Sequence, residues 1–118
     1  MIKGIGIDIV EIDRINNSIK QNDRFVERIL TERERKAYEN LSTHRRKVEF
    51  VAGRFAAKEA FSKAMGTGLG KLGFQDIEIY NDNKGAPYLT CDKTSFQIWV
   101  SISHSMDYAV SQVILEQQ

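Results

Sequence analysis

The chain switches between two hydrophobic periods. Residues 2–10, IKGIGIDIV, run with period two: Ile5, Ile7 and Ile9 share one face, and Gly4, Gly6, Asp8 and Val10 share the other. This predicts a strand whose glycines mark close approach of a ligand or another backbone. The period then lengthens. Ile12, Ile15 and Ile19 predict a short helix over 12–20, and Phe25, Val26 and Ile29 a second over 22–30, with Asn22-Asp23 at the break. Thr31 followed by Glu34 is a capping box, so a third helix starts there. The longest helix is predicted over 45–65, with Phe50 or Val51, Phe55, Ala57, Phe61 and Met65 as its buried stripe and Gly66 as its C-cap.

Beyond this helix the period returns to two. Phe74, Ile77 and Ile79 lead into the turn cluster Asn81-Asp82-Asn83-Lys84-Gly85, and 86–90 return as the second strand of a hairpin. In 97–103, Ile98, Val100 and Ile102 alternate with Trp99, Ser101 and Ser103. His104 to Asp107 turn the chain into a last strand over 108–115. No repeat, linker or low-complexity segment interrupts this order. The expectation is one α+β domain over 1–118, with a mostly antiparallel sheet, a long helix and an N-terminal helical region.

Composition adds bounds. A chain of 118 residues with 42% hydrophobic content builds a modest core, which oligomerisation would supplement. The single cysteine, Cys91, excludes an internal disulfide and fits a reducing compartment. No apolar run approaches the roughly 20 residues that span a bilayer. Asp8, Glu11 and Asp13 break any signal-peptide pattern, so the expectation is a cytoplasmic protein with no membrane partner. The near-neutral net charge of +1 hides an asymmetry: residues 14–63 hold 13 Lys+Arg against 7 Asp+Glu. A basic face of this kind suits an acidic partner, although it also describes an ordinary solvated surface.

Candidate chemistry concentrates in 53–70, GRFAAKEAFSKAMGTGLG. Glu59 and Lys63 are i and i+4 on a helix and share a face; by themselves they read as a surface ion pair. Arg54 and Lys58 precede them. Alanines at 56, 57, 60 and 64 either leave room for a ligand or simply favour the helix. The Gly66-Thr67-Gly68 turn could cradle phosphate through backbone amides, although helix termination is the default explanation of such a motif. Asp8 lies among apolar neighbours and needs a partner, either Arg54 or a hard cation. Asp8 plus Glu59 suits Mg²⁺, which takes one or two carboxylates, waters and phosphate oxygens. His104 stands at a strand end between two serines.

Together these pieces resemble the holo-acyl-carrier-protein synthases, the small bacterial group of 4'-phosphopantetheinyl transferases. The resemblance rests on GIGIDIVEIDRI at 4–15, GRFAAKEAFSKAMGTG at 53–68, the Gly85-Ala86-Pro87 turn and SISHS at 101–105, and covers essentially the whole chain. It implies the 4'-phosphopantetheinyl transferase fold. It also implies transfer of phosphopantetheine from coenzyme A to a serine of an apo-acyl carrier protein, with release of adenosine 3',5'-bisphosphate, in fatty acid biosynthesis. By the same resemblance, Asp8 and Glu59 ligate Mg²⁺ and Lys63 attends the leaving phosphate. Arg54 and His104 bind the nucleotide phosphates with help from Lys58. Gly66, Thr67 and Gly68 contact phosphate, and Pro87 shapes the adenine pocket. The serine proton goes to a bound water or to a carboxylate such as Glu59; the residues leave both open. The acidic carrier protein docks on Arg14, Arg24 and Arg28, with Ile15 and Phe25 as apolar contacts. The family assembles as a homotrimer with active sites at subunit interfaces.

Two other classes fit the same residues. A Mg²⁺-dependent nuclease would use an Asp, a Glu and a Lys beside a basic face, although no nucleic-acid partner is expected here. A module that binds a nucleotide or an acidic protein without catalysis is the third.

Overall fold

The computed structural model describes residues 1–70 and 72–118. In chain order it contains β1 (Ile2–Glu11), α1 (Ile12–Gln21), α2 (Phe25–Ile29), α3 (Glu32–Glu39) and α4 (His44–Met65). A 3₁₀ turn (Phe74–Asp76) follows, then β2 (Ile77–Asn81), β3 (Pro87–Cys91), β4 (Gln97–His104) and β5 (Tyr108–Glu116). The strands form two antiparallel sheets. One has the order β1-β5-β4; the other is the β2–β3 hairpin.

Local chemistry sets the helix ends. Thr31 Oγ1 accepts from the Glu34 N–H at 3.3 Å, and the Glu34 carboxylate accepts from the Thr31 N–H at 2.8 Å, completing the expected capping box of α3. Thr43 caps α4 by accepting from the Arg46 N–H at 3.1 Å. Gly66 closes α4 in the left-handed region, at φ 76°, where a side chain would be strained.

α4 carries the core on more than one side. Val48, Val51 and Ala52 pack with Ile12, Ile15, Ile29 and Leu30 from the N-terminal helices. Ala57, Ala60 and Phe61 pack with Ile77, Ile79, Leu89, Val113 and Leu115 from the two sheets. Phe61 is fully buried, which stabilises the fold by about 1.5–3 kcal/mol. The expected single stripe is therefore too narrow: Val51, Ala57 and Phe61 are buried, but Phe50, Phe55 and Met65 are only partly so.

The glycine face of β1 meets α4. An added Cβ at Gly6 would stand 1.9 Å from the Ala60 carbonyl oxygen, and at Gly4 2.2 Å from that of Ala64. The close approach is thus made by another backbone. The buried alanines of α4 make room for this strand and not for a ligand. The opposite face of β1 is bare: Ile5, Ile7 and Ile9 are 60%, 58% and 63% exposed. At the other end of the contact, a Cβ on Gly53 would touch the Ile102 side chain of β4 at 3.1 Å. α4 therefore crosses the sheet diagonally, its first half over β4 and its last turns over β1.

Candidate active site

The crossing of α4 over β1 assembles the first cluster. Asp8 projects from the glycine face of β1, and Glu59 and Lys63 come from the last turns of α4. Lys63 Nζ donates to Asp8 Oδ1 and to the Ile7 carbonyl, both at 3.1 Å. Lys63 thus reaches the strand, and no ion pair joins it to Glu59 among the described residues. The Asp8 side chain is only 16% exposed, whereas that of Lys63 is 54% exposed. Burial pushes the Glu59 carboxyl above its usual range; the Asp8 charge adds to this and Lys63 opposes it. Two carboxylates with one ammonium leave the cluster short of positive charge. Among the described residues no group of three His, Cys, Asp or Glu side chains gathers. A cation seated here would complete its shell with water or phosphate oxygens, as Mg²⁺ does and structural Zn²⁺ does not.

The second cluster lines a cavity of about 250 Å³ between the first half of α4, the end of β4 and the β2–β3 turn. Arg46, Glu49, Gly53, Arg54, Pro87 and His104 are among its walls. Arg54 donates from Nη2 to Asn81 Oδ1 at 3.1 Å, and its guanidinium lies 4.0 Å from the Phe50 ring centroid. Its Nε is buried without an acceptor. Burial pulls the Arg54 pKa down, with Glu34 opposing. A desolvated guanidinium with an unused N–H is ready for an anionic ligand. Glu49 accepts from Arg45 Nε at 3.0 Å, and His104 Nδ1 stands 3.7 Å from the same carboxylate oxygen.

Geometry keeps the two clusters apart within one chain. Arg54 and Lys63 are nine residues apart on one helix, which places them about 180° apart around its axis. One cluster sits at the β1 edge of the sheet and the other at the β4 edge. Arg54 pairs with Asn81, so it is not the partner of Asp8.

Three expectations need correction. Lys58 is fully buried, and its ammonium is consumed by Glu34 Oε1 and the Ile29 carbonyl at 2.7 Å and the Phe74 carbonyl at 3.1 Å. It cannot reach a nucleotide. Ile15 is 2% exposed and belongs to the core, so it offers no apolar contact to a partner. The turn after α4 is the third. The N–H of Gly66 donates to the Lys63 carbonyl at 3.0 Å, and those of Thr67 and Gly68 to the Ser62 carbonyl at 3.2 and 3.4 Å. These amides cap a helix C-terminus, whose partial negative charge disfavours an anion. As placed, these three amides are already bonded to α4 carbonyls and provide no phosphate cradle.

Arg14, Arg24 and Arg28 are exposed, and no ion pair holds them among the described residues. Phe25 is half-buried, its ring 6.4 Å from that of Phe55. Arg46, Glu49 and Asn81 were not singled out from the sequence. Arg46, Phe50 and Arg54 follow at i, i+4 and i+8, a helical spacing that marks one face and could have identified Arg46.

Comparison with known proteins agrees in fold and sequence. The family model described as the 4'-phosphopantetheinyl transferase superfamily matches residues 4–113. A holo-[acyl-carrier-protein] synthase of Geobacillus sp. (strain WCH70) is 56% identical over 117 residues, covering 98% of each chain. The crystal structure of a holo-(acyl-carrier-protein) synthase from Bacillus anthracis, in complex with CoA (3',5'-ADP), superposes with a TM-score of 0.93 at 54% identity, covering 100% of this chain and 99% of that one. The Helicobacter pylori holo-[acyl-carrier-protein] synthase, in complex with coenzyme A, gives 0.84 at 38% identity, covering 95% and 99%.

Proposed function

The chain belongs to the 4'-phosphopantetheinyl transferase superfamily, and we propose how its two clusters carry out the reaction. The enzyme transfers 4'-phosphopantetheine from coenzyme A to a serine hydroxyl of an apo-acyl carrier protein and releases adenosine 3',5'-bisphosphate. The observation that carries the site assignment is the first cluster: Lys63 bonded to Asp8, with the Glu59 carboxylate nearby in no ion pair among the described residues.

In this reading Asp8 and Glu59 would hold Mg²⁺, which when bound would supply charge neutralisation for the pyrophosphate of coenzyme A. Lys63, whose side chain is half exposed, leaves Asp8 for the departing phosphate and stabilises its growing charge. Arg54, through its unused Nε, and His104 bind the nucleotide phosphates in the β4-edge cavity. Pro87 walls the adenine side. Glu59 or a bound water takes the serine proton.

One coenzyme A needs both clusters, and one chain places them on opposite sheet edges. We therefore assign each active site to two neighbouring subunits. Contact between unlike edges is heterologous and closes as a ring, here a homotrimer. The bare isoleucines of β1 would be covered in that ring. Arg14, Arg24, Arg28 and Phe25 form the docking face for the acidic carrier protein. The setting is the cytoplasm, in fatty acid biosynthesis; no helix among the described residues is long and apolar enough to cross a membrane.

Intact-protein mass spectrometry tests the reaction. Apo-carrier protein incubated with the enzyme, coenzyme A and Mg²⁺ should gain one phosphopantetheinyl group. An unchanged mass with a competent carrier protein would remove the transferase reading. Cleavage of DNA or RNA under the same conditions would favour the nuclease.

A further inference from the structure

Lys58 and Glu34 form a charged pair that the reaction does not use. Their side chains are 0% and 1% exposed, with Nζ to Oε1 at 2.7 Å. Lys58 stands on α4 and also donates to the Ile29 carbonyl at the end of α2 and to the Phe74 carbonyl at the 3₁₀ turn. Glu34, on α3, accepts from the Thr31 N–H on one oxygen and from the Ile79 N–H of β2 at 2.8 Å on the other. Thr31 Oγ1 in turn donates to Glu78 Oε2 at 2.6 Å. Each charge is satisfied, as burial requires.

The position of this pair matters more than its strength. Ile79 is two residues before Asn81, which accepts from Arg54 at the cavity wall. Asn81 pairs in register with Pro87, another wall residue. The Glu34 carboxylate therefore fixes the free edge of β2, and through it the hairpin side of the cavity. Lys58 fixes Glu34 to the helix that bears Arg54. Arg54 and Lys58 are one turn apart on α4, so the ion pair and the cavity share that turn.

We propose that Lys58 and Glu34 are positioning residues that set the distance between the β2–β3 hairpin and Arg54, and so the affinity for the nucleotide half of coenzyme A. The inference rests on assigning the β4-edge cavity to the nucleotide. Glu59 sits next to Lys58 in sequence but faces β1, so the metal cluster is held by different contacts and is spared.

The test is the double variant Lys58→Met/Glu34→Gln, which removes both charges with little change in volume and leaves no orphaned ion. Steady-state kinetics on the full-length enzyme, with a carrier protein and Mg²⁺ saturating, separate the roles. The KM for coenzyme A should rise roughly tenfold or more, while kcat stays within about threefold of wild type. Val113→Ala, a core variant away from the cavity, serves as the stability control and should leave that KM unchanged. An unaltered KM in the folded double variant, or an equal rise in the control, would overturn the proposal. Should the double variant not fold, Glu34→Asp keeps both charges but shortens the carboxylate's reach to Lys58 and to the Ile79 N–H. It should show the same split at smaller amplitude, and no split would overturn the proposal. Arg54→Ala checks the premise separately: if it leaves the KM for coenzyme A intact while wild type is active, the cavity assignment fails, and the proposal fails with it.

Discussion

Glu59 carries the sharpest contradiction between stability and function. Its folded-state pKa lies above the unfolded value, so the native protein holds that proton more tightly. The stabilising contribution is present below the ordinary carboxylate range and is lost as pH rises through the raised value. At neutral pH the ionised side chain is thus a cost. Glu59→Gln should raise the melting temperature at pH 7 in metal-free buffer while lowering kcat by about 10²–10³-fold. Calorimetry beside the transfer assay checks both; a lower melting temperature would contradict the account. A related expectation is that Mg²⁺ affinity falls as pH drops through the Glu59 pKa, since protons compete for the ligand. Titration calorimetry at several pH values reads this directly.

Lys58 behaves in the opposite way. Lys58→Met alone strands a buried Glu34 carboxylate and should cost about 3–5 kcal/mol in denaturant unfolding, whereas removing both charges should cost far less. Asp8 stood out as an acid among apolar neighbours, whereas Glu59 and Lys63 read by spacing as a surface ion pair and were drawn into the site by the family resemblance. The burial of Lys58 was not legible. Consecutive helix residues point about 100° apart, so Lys58 and Glu59 were bound to face differently, but only the packing of α3 and β2 against α4 shows that the Lys58 face is buried.

Among the elements, β1 and α4 define the molecule. Their contact depends on the absence of side chains at Gly4 and Gly6. Gly6→Ala would drive a methyl group into the Ala60 carbonyl and should destabilise by about 1–3 kcal/mol or more, measured by thermal unfolding. The strand period, the capping box and the αL glycine made the element boundaries legible to within a few residues. The division of the strands into two sheets was not legible, because alternation assigns faces and not neighbours. The same limit explains Ile15: helical spacing marks it as apolar, but whether that face meets the core or a partner depends on what packs above it. The exposed arginines of α1 and of the segment around α2 are the proposed docking surface. Charge reversal at Arg14 or Arg24 should raise the KM for the carrier protein and flatten its dependence on salt, with kcat little changed. An unaltered KM would move the docking face elsewhere.

The scale of the whole molecule is where the sequence says least. Nothing in 53–70 reveals that Arg54 and Lys63 serve opposite edges of a sheet, because their separation arises from the diagonal crossing of α4. In the proposed ring, two half-sites and the bare isoleucine face would account for each other, because the contact that unites the clusters would also cover Ile5, Ile7 and Ile9. A charged residue on that face, such as Ile7→Lys, should shift the sedimenting mass toward a monomer and abolish transfer together with it.

The most direct measurement mixes two inactive variants. Lys63→Ala breaks the β1-edge cluster and Arg54→Ala the β4-edge cavity, so each protein alone should modify almost no carrier protein. After subunit exchange, verified by native mass spectrometry, some sites will pair an intact edge from each parent. The mixture should then transfer phosphopantetheine at a substantial fraction of the wild-type rate. Verified exchange without recovered activity would show that both clusters act within one chain and would contradict the account.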